Sequence, residues 1–432
     1  MSSDSSSVVI RPARNLMGAL RLPGDKSISH RYAMLGGIAE GITRLENFST
    51  GADCASTLAC MAALGVLVKR ESGGVVTLEG RPGSLISPLG ALDCGNSGST
   101  MRMLAGILSG QPFSCEMIGD ESLSRRPMNR VITPLEQMGA RIESRGGRPP
   151  LRVTGGPLRA IDYKMPIPSA QVKSAVLFAG LFAEGTTWVE ESVRTRDHSE
   201  IALRAFGVQL DSQPGRVGIT GGQRLRGIEA TVPGDISSAA FFLCAAALFP
   251  ESNLVIDDVL LNPTRAVLLD VLAAMGVQTS MVRVEERHGE LVGTIRVQPP
   301  KVLRGARIAG AQAAALIDEL PVLAAIAPYT SEGMEIRDAR ELRVKESDRI
   351  AAVAANLRAM GANVEEHDDG MHVPGGQSLK GGIVNSAGDH RIAMAFAVAA
   401  LRATHETVIH GAGAASISYP EFFQALDQLL ER

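Results

Sequence analysis

A chain of 432 residues that is 45% hydrophobic and carries a formal net charge of -3 has the apolar content to bury large cores in two or more domains. That charge provides no overall attraction for nucleic acid, and aromatic residues at 4% are too few for base-stacking platforms. Any anion binding must come from local clusters.

In chain order, Met1 to Ser7 is a polar run expected to be disordered, with neither the basic start nor the apolar core of a secretory signal. A first strand is expected at Val8 to Arg11 or so. The stretch Leu22-Pro23-Gly24-Asp25-Lys26-Ser27-Ile28-Ser29-His30-Arg31 then reads as a strand end, a Pro-Gly turn and a helix beginning near Lys26. A lysine, two hydroxyls and an arginine share the first turns of that helix, beside its unpaired backbone N–H groups. Such a start attracts anions, because the helix dipole and the unpaired donors point the same way. Standing alone, it reads equally as a solvated helix start.

The arrangement recurs. Small-residue helical stretches begin near Asn96, Ala170, Asp235, Gln312 and Gly388, at intervals of about 65–77 residues. After most of them an amphipathic helix closes on a glycine, at Gly65, Gly139, Gly207, Gly276 and Gly361, and a strand, a turn and another strand follow. Glycine just past a helix is the expected left-handed cap. Six supersecondary units fit the chain, the last ending without its glycine at Phe422 to Leu430. Pro233-Gly234-Asp235-Ile236-Ser237 echoes Pro23-Gly24-Asp25-Lys26-Ser27, which predicts three α/β units per half and a break near Thr231. The longest uninterrupted apolar run, Ala239 to Phe249, is far short of the roughly 20 residues that span a bilayer. Five cysteines without a Cys-x-x-Cys pair argue against a disulfide framework or a structural zinc site, and suit a reducing cytoplasm.

Several helix starts carry chemistry. Gly95-Asn96-Ser97-Gly98 opens the second buried helix with Arg102 a turn inside; glycines admit an anion close to the backbone, while Asn and Ser cap. Arg125-Arg126-Pro127 is expected to lead a helix with proline in its first turn, and the arginines alone read as surface charge. Ser169-Ala170-Gln171-Val172-Lys173 offers a hydroxyl, an amide and an amine, or plain capping. Arg196-Asp197-His198-Ser199-Glu200 is too charged for a buried strand and sits just before a helix. Asp318-Glu319 interrupts an apolar run from Ala313 to Ala327, so one or both carboxylates lie where burial raises the pKa. Buried carboxylates are rare without a partner or a task. Leu342 to Arg349 reads as an exposed helix start with spaced ion pairs. Gly388-Asp389-His390-Arg391 opens the sixth helix with an imidazole and a guanidinium.

Taken together, Leu-Pro-Gly-Asp-Lys-Ser-x-Ser-x-Arg at 22–31, Gly-Asn-Ser-Gly at 95–98, Arg-Arg-Pro at 125–127, Ser-Ala-Gln at 169–171, Arg-Val-Lys-Glu-Ser-Asp-Arg at 343–349 and Asp-His-Arg at 389–391 closely resemble the 5-enolpyruvylshikimate-3-phosphate synthase family. The match runs in order from about Val8 to Leu430, and the conjunction is far more specific than any one motif. The resemblance implies transfer of the enolpyruvyl group of phosphoenolpyruvate to the 5-hydroxyl of shikimate 3-phosphate, releasing phosphate. It implies two globular halves of three βαβαββ units each, an inside-out α/β barrel, with the active site in the cleft between them. Residues 21–231 would form the N-terminal domain, and residues 1–20 with 232–432 the C-terminal one.

By the same resemblance, Lys26, Ser27, Arg31, Ser169, Ala170, Gln171, Arg196, Asp318 and Lys345 match positions for shikimate 3-phosphate. Lys26, Asn96, Gly98, Arg126, Gln171, Arg349, His390 and Arg391 match those for phosphoenolpyruvate. Asp318 is the expected base, and Glu346 helped by Lys26 the candidate for proton traffic at the methylene carbon. His390 is expected to hydrogen-bond rather than ligate a metal. No metal or cofactor, no nucleic acid and no membrane are implied; a cytoplasmic monomer is expected. Three departures stand out: Ala170 lacks a hydroxyl found in some relatives, Ile417 stands where some have Lys, and Glu341 where some have Asn. The stretches 196–200, 169–173 and Asn262-Pro263-Thr264-Arg265 resemble the glyphosate-tolerant branch.

Two rival readings stay open. The sister enolpyruvyl transferase acting on UDP-N-acetylglucosamine would share the six-unit architecture but use a Lys-Asn pair near the first strand and a reactive Cys, whereas Cys115 has no basic neighbour in sequence. A non-catalytic repeat scaffold would have no use for a buried Asp318 or charged helix starts. A P-loop kinase fails directly, because Gly24-Asp25-Lys26-Ser27 puts an Asp between the Gly and the Lys.

Overall fold

The computed structural model describes residues 6–432. Of the polar start, residues 1–5 lie outside the described residues, but Ser7 is already in a strand. Ser7–Ile10 pairs antiparallel with Thr407–His410, Ser7 opposite His410. The backbone divides into two compact units. The first is Pro23–Val232 with the hairpin tip Glu286–Glu290; the second joins the N-terminal stretch ending at Leu22 to Pro233–Glu285 and Leu291–Arg432.

One sheet pattern is repeated. A short strand runs parallel to a central one, and two antiparallel strands follow on its other side. In the first unit the central strands are Ile42–Glu46, Ser114–Ile118 and Thr186–Glu190. In the second they are Asn253–Leu260 and Met334–Ile336, and a three-stranded version is centred on Thr407–His410. Each unit borrows its closing strand from far along the chain. Glu229–Thr231 completes the sheet of Ile42–Glu46, and Asn15–Arg21 completes that of Asn253–Leu260. Both passages between the units follow these strands directly, at Pro23-Gly24-Asp25 and Pro233-Gly234-Asp235. The echo in sequence is therefore an echo in topology.

Six buried helical positions were expected, and five are single helices: Lys26–Ile38, Gly98–Ser109, Ala170–Gly180, Ile236–Ala247 and His390–Ala400. Each starts at a side-chain cap. Asp25 accepts from the Ile28 N–H at 2.9 Å, Ser97 from Thr100 at 3.0 Å, Ser169 from Val172 at 3.4 Å, Asp235 from Ser237 at 2.7 Å and Asp389 from Arg391 at 2.9 Å. The fifth position differs from expectation. Near Gln312 there are two short helices, Gly310–Ala315 and Leu320–Ile326, with Asp318-Glu319 in the break. Pro321 lies in the first turn of the second piece; lacking an N–H and crowding the carbonyl four residues back, it restarts a helix rather than continuing one.

The amphipathic helices Ala52–Ala63, Asn129–Met138, His198–Ala205, Val267–Ala274 and Arg349–Ala359 all stop at the expected glycines, which have φ of +89°, +115°, +88°, +99° and +89°. Phe422–Leu429 instead runs straight into the strand Leu430–Glu431. Pro127 does not sit in a first turn: Arg125 ends the short helix Glu121–Ser124, and the next helix begins only at Asn129.

Small residues let the buried helices touch backbone to backbone. A Cβ added at Gly106, on Gly98–Ser109, would lie 2.1 Å from the carbonyl oxygen of Ala175 on Ala170–Gly180. Gly106→Ala should lower the unfolding free energy by about 1–3 kcal/mol, the usual cost of overpacking. Gly90→Ala, where nothing lies within 4 Å, should stay within roughly 0.5 kcal/mol of wild type. Urea midpoints of the two variants check the contrast.

Candidate active site

The first unit gathers its cations at helix starts. Asp25 caps the helix that carries Lys26 at its first position, and the Lys26 ammonium donates to Asp53 Oδ2 at 3.0 Å. Asp53 lies in the first turn of Ala52–Ala63 and is 6% exposed. Arg31, a turn further on, is buried and donates through Nε to Ser199 at 2.7 Å, through Nη2 to Ser174 at 2.8 Å and through Nη1 to the Ser27 carbonyl at 2.8 Å. Burial lowers its guanidinium to about 10, against the opposing pull of Glu200 and Asp25. His30 is also held well below the ordinary imidazole value, first by burial and then by the charges of Lys26 and Arg31.

A second group surrounds Gly98. Arg126 Nη2 donates to Asn96 Oδ1 at 2.8 Å and to Ser122 at 3.2 Å, while Asn96 donates to Asp120 at 2.7 Å. Arg102 donates to Gln171 Oε1 at 2.7 Å, and Gln171 donates in turn to Ser99 at 2.9 Å. A Cβ on Gly98 would lie 3.0 Å from Arg102 Nη1 and 3.4 Å from Arg126 Nη1. Asn96, Gly98, Arg126 and Gln171 thus form one cluster. Of the two adjacent arginines only Arg126 joins it; Arg125 is exposed and pairs with Glu121.

Ser169 caps its helix and, with Ala170 and Gln171, is half-buried. The amine of Lys173 is not on offer there. It is 1% exposed, between Glu191 at 2.8 Å and Glu200 at 2.7 Å. Ser199 and Glu200 of the charged stretch are likewise buried, and only Arg196 and Asp197 are half-exposed.

In the second unit three arginines converge on Asp318. Arg349 Nη1 lies 3.6 Å and Arg391 Nε 4.0 Å from its Oδ1, and Arg265 Nη1 lies 3.8 Å from its Oδ2. Arg391 also donates to the Asp318 carbonyl at 2.8 Å. Of the acidic pair, Glu319 is the buried member at 3% exposure, and the Asp318 side chain keeps 18%.

Arg349 is 1% exposed, with bonds to Asp389 at 2.8 and 3.2 Å and to Glu346 at 2.7 Å. Its Nη1 has no hydrogen-bond acceptor among the described residues. Burial lowers the Arg349 pKa, but Asp389, Glu346 and Asp318 carry it above the ordinary value. Burial raises Asp389, but the Arg349 charge, the His390 charge and the hydrogen bond from Arg349 together outweigh that and leave it below the usual carboxylate value of 3.8. Ser347 donates to Asp389 at 3.0 Å. Lys345 is half-exposed, 3.5 Å from Glu341. His390 is 1% exposed, with Nδ1 3.9 Å from Asp389. Ile417 is half-buried at the end of the short 3-10 segment Ala412–Ile417. Arg343 is engaged by Asp348, Glu366 and two carbonyls and serves the fold.

Each unit therefore presents guanidinium and ammonium groups at capped helix starts, a chemistry suited to phosphates and carboxylates. A model of the family described as EPSP synthase (3-phosphoshikimate 1-carboxyvinyltransferase) matches residues 10–426. The chain belongs to the EPSP synthase family. It is 62% identical over 426 residues to the 3-phosphoshikimate 1-carboxyvinyltransferase of Koribacter versatilis (strain Ellin345), covering 99% of this chain and 100% of that one. It is 55% identical to that of Solibacter usitatus (strain Ellin6076), over 98% and 99% of the two chains. The solved EPSP synthase of Acinetobacter baumannii superposes with a TM-score of 0.88 at 39% identity, covering 98% of each chain.

An EPSP synthase is an enzyme, which disposes of the repeat scaffold, and the family match disposes of the sister transferase. Asp53, Arg102 and Arg265 were not picked out as site residues from the sequence. Arg102 had a visible signal, one turn inside a glycine-rich helix start, but Asp53 and Arg265 become informative only through partners far away in the chain.

Replacing Asp389 by Asn should destabilise this EPSP synthase by about 3–5 kcal/mol at neutral pH, since it strips a buried guanidinium of its main partner. Because Asp389 titrates below 3.8 when folded, its contribution is complete above that pH and lost as the pH falls through the folded value. Urea titrations across the pH range should show a constant gap between wild type and Asp389→Asn that narrows only at the acid end.

Proposed function

We propose that this chain transfers the enolpyruvyl group of phosphoenolpyruvate to the 5-hydroxyl of shikimate 3-phosphate. The observation that carries this reading is Asp318, a partly exposed carboxylate facing three guanidiniums in a chain of the EPSP synthase family. The C5 oxygen attacks C2 of phosphoenolpyruvate while C3 takes a proton; C3 then returns a proton as the C2–O bond to phosphate breaks. Asp318 takes the hydroxyl proton, and Glu346, with Lys26, handles the proton at C3. Guanidinium and ammonium groups offset the charge that develops on the phosphate oxygens.

On this reading Lys26, Ser27, Arg31, Ser169, Gln171, the Ala170 backbone, Arg196 and Lys345 hold shikimate 3-phosphate together with Asp318. Lys26, Asn96, Gly98, Arg126, Gln171, Arg349, His390 and Arg391 hold phosphoenolpyruvate. Arg349 Nη1, buried and without a hydrogen-bond acceptor among the described residues, supports an anion there. On this reading the enzyme acts as a monomer. The five free, buried cysteines suit the reducing cytoplasm where we place it.

Phosphate release from phosphoenolpyruvate with shikimate 3-phosphate, and then with UDP-N-acetylglucosamine, tests the assignment; release only with the second would overturn it. Asp318→Asn should lower turnover at least about a hundredfold, the scale of general-base loss. Shikimate 3-phosphate binding, by calorimetry, should stay within an order of magnitude.

Glyphosate would occupy the phosphoenolpyruvate site. The buried Lys173 acts on that site only through its neighbours, and intermediate tolerance is expected. A methyl at Gly98 presses on Arg102 and Arg126, and overpacking costs roughly 1–3 kcal/mol. Gly98→Ala should therefore raise the glyphosate inhibition constant more than the KM for phosphoenolpyruvate; equal changes would remove Gly98 as a discriminating contact.

A further inference from the structure

The stretch Asn262-Pro263-Thr264-Arg265 is not used by the mechanism above, yet it is built around one side chain. Asn262 Oδ1 accepts from the Thr264 N–H at 2.9 Å and the Thr264 hydroxyl at 2.7 Å. The Asn262 carbonyl accepts from the N–H groups of Arg265 and Ala266 at 2.8 and 2.9 Å. Asn262 is buried, and the turn delivers the Arg265 guanidinium, also buried, between three carboxylates. Nη2 donates to the Ser237 hydroxyl, which donates to Glu319. The same nitrogen lies 3.9 Å from Asp235 and 3.9 Å from Glu319, while Nη1 lies 3.8 Å from Asp318.

We propose that Arg265 is a positioning residue for enolpyruvyl transfer: locked by Ser237, Asp235 and Glu319, it aims and steadies the second oxygen of the Asp318 carboxylate. The inference rests on Asp318 being the base. The first oxygen faces Arg349 and Arg391. Arg349 is already matched by Asp389 and Glu346, and Arg391 also faces Glu319 at 4.0 Å. Arg265 thus lies between Asp318 and the like charges of Asp235 and Glu319, and it faces all three. Without it those carboxylates favour a proton on Asp318, and a protonated Asp318 cannot accept the hydroxyl proton.

The test is the pH profile of kcat. Arg265→Gln should move the acid limb upward by roughly one pH unit, the low end of the effect of an opposite charge at this range. KM for both substrates should change less than about threefold, since the side chain meets neither of them on this view. Arg265→Lys should give an intermediate shift. Ser237→Ala, which removes one hydroxyl and should fold readily, should give a smaller shift in the same direction. An acid limb at its wild-type position in Arg265→Gln and Ser237→Ala, or a uniform loss at every pH, overturns the proposal. Asp318→Asn run in parallel separates the two ideas. If it keeps wild-type turnover, the base assignment fails and this inference with it. If it is inactive while the limb stays put in Arg265→Gln, only the role of Arg265 is lost.

Discussion

A short polar side chain capping a buried helix is the contact on which both units depend. Asp25, Ser97, Ser169, Asp235 and Asp389 each satisfy a backbone N–H that would otherwise be stranded at the start of a helix with little access to water. The aspartates do more than cap. Asp389 uses the same carboxylate to hold Arg349 and Ser347, so helix start, guanidinium and loop are located by two oxygens. Asp235 likewise caps one helix and faces Arg265. Scaffold and anion chemistry are thus carried by the same groups.

That sharing explains what could be read from the sequence. Helix starts are local events: a cap and its first-turn cations lie within a few residues, so Lys26, Gly98, Ser169 and Arg391 stood out as candidate site residues. Helix ends are local too, because a positive φ strongly favours glycine. Pairing across helices is not local. Lys173 looks like an available amine until Glu191 and Glu200 close on it, and nothing at its own position announces them. Asp53 looks like an ordinary first-turn acid until Lys26 arrives. The split fifth helix lay between: Asp318-Glu319 visibly interrupts the apolar run from Ala313 to Ala327, and Pro321 restarts the helix just after it. Asp318-Glu319 was noticed through burial, and the structure divides the pair into a buried member and a partly exposed one.

Small residues connect the scaffold to the site. Gly106 lets two buried helices approach until backbone meets backbone. That approach brings Gln171 within reach of Arg102 and Ser99, residues on the facing helix. Side-chain hydrogen bonds of this length leave little tolerance, so packing about two turns away sets the geometry around Gly98.

The borrowed closing strands bear on synthesis. Asn15–Arg21 is synthesised early but pairs with Asn253–Leu260, more than two hundred residues later. Until then its parallel edge has no partner. The Pro23–Val232 stretch, by contrast, has its own closing strand, Glu229–Thr231, once its last residues emerge. The N-terminal strand must therefore wait, unpaired, while the unit encoded after it assembles. A nascent chain in this arrangement exposes a strand edge for most of translation, and the exposed Arg14 just before that strand and Arg21 at its end put charge where an aggregating neighbour would have to dock.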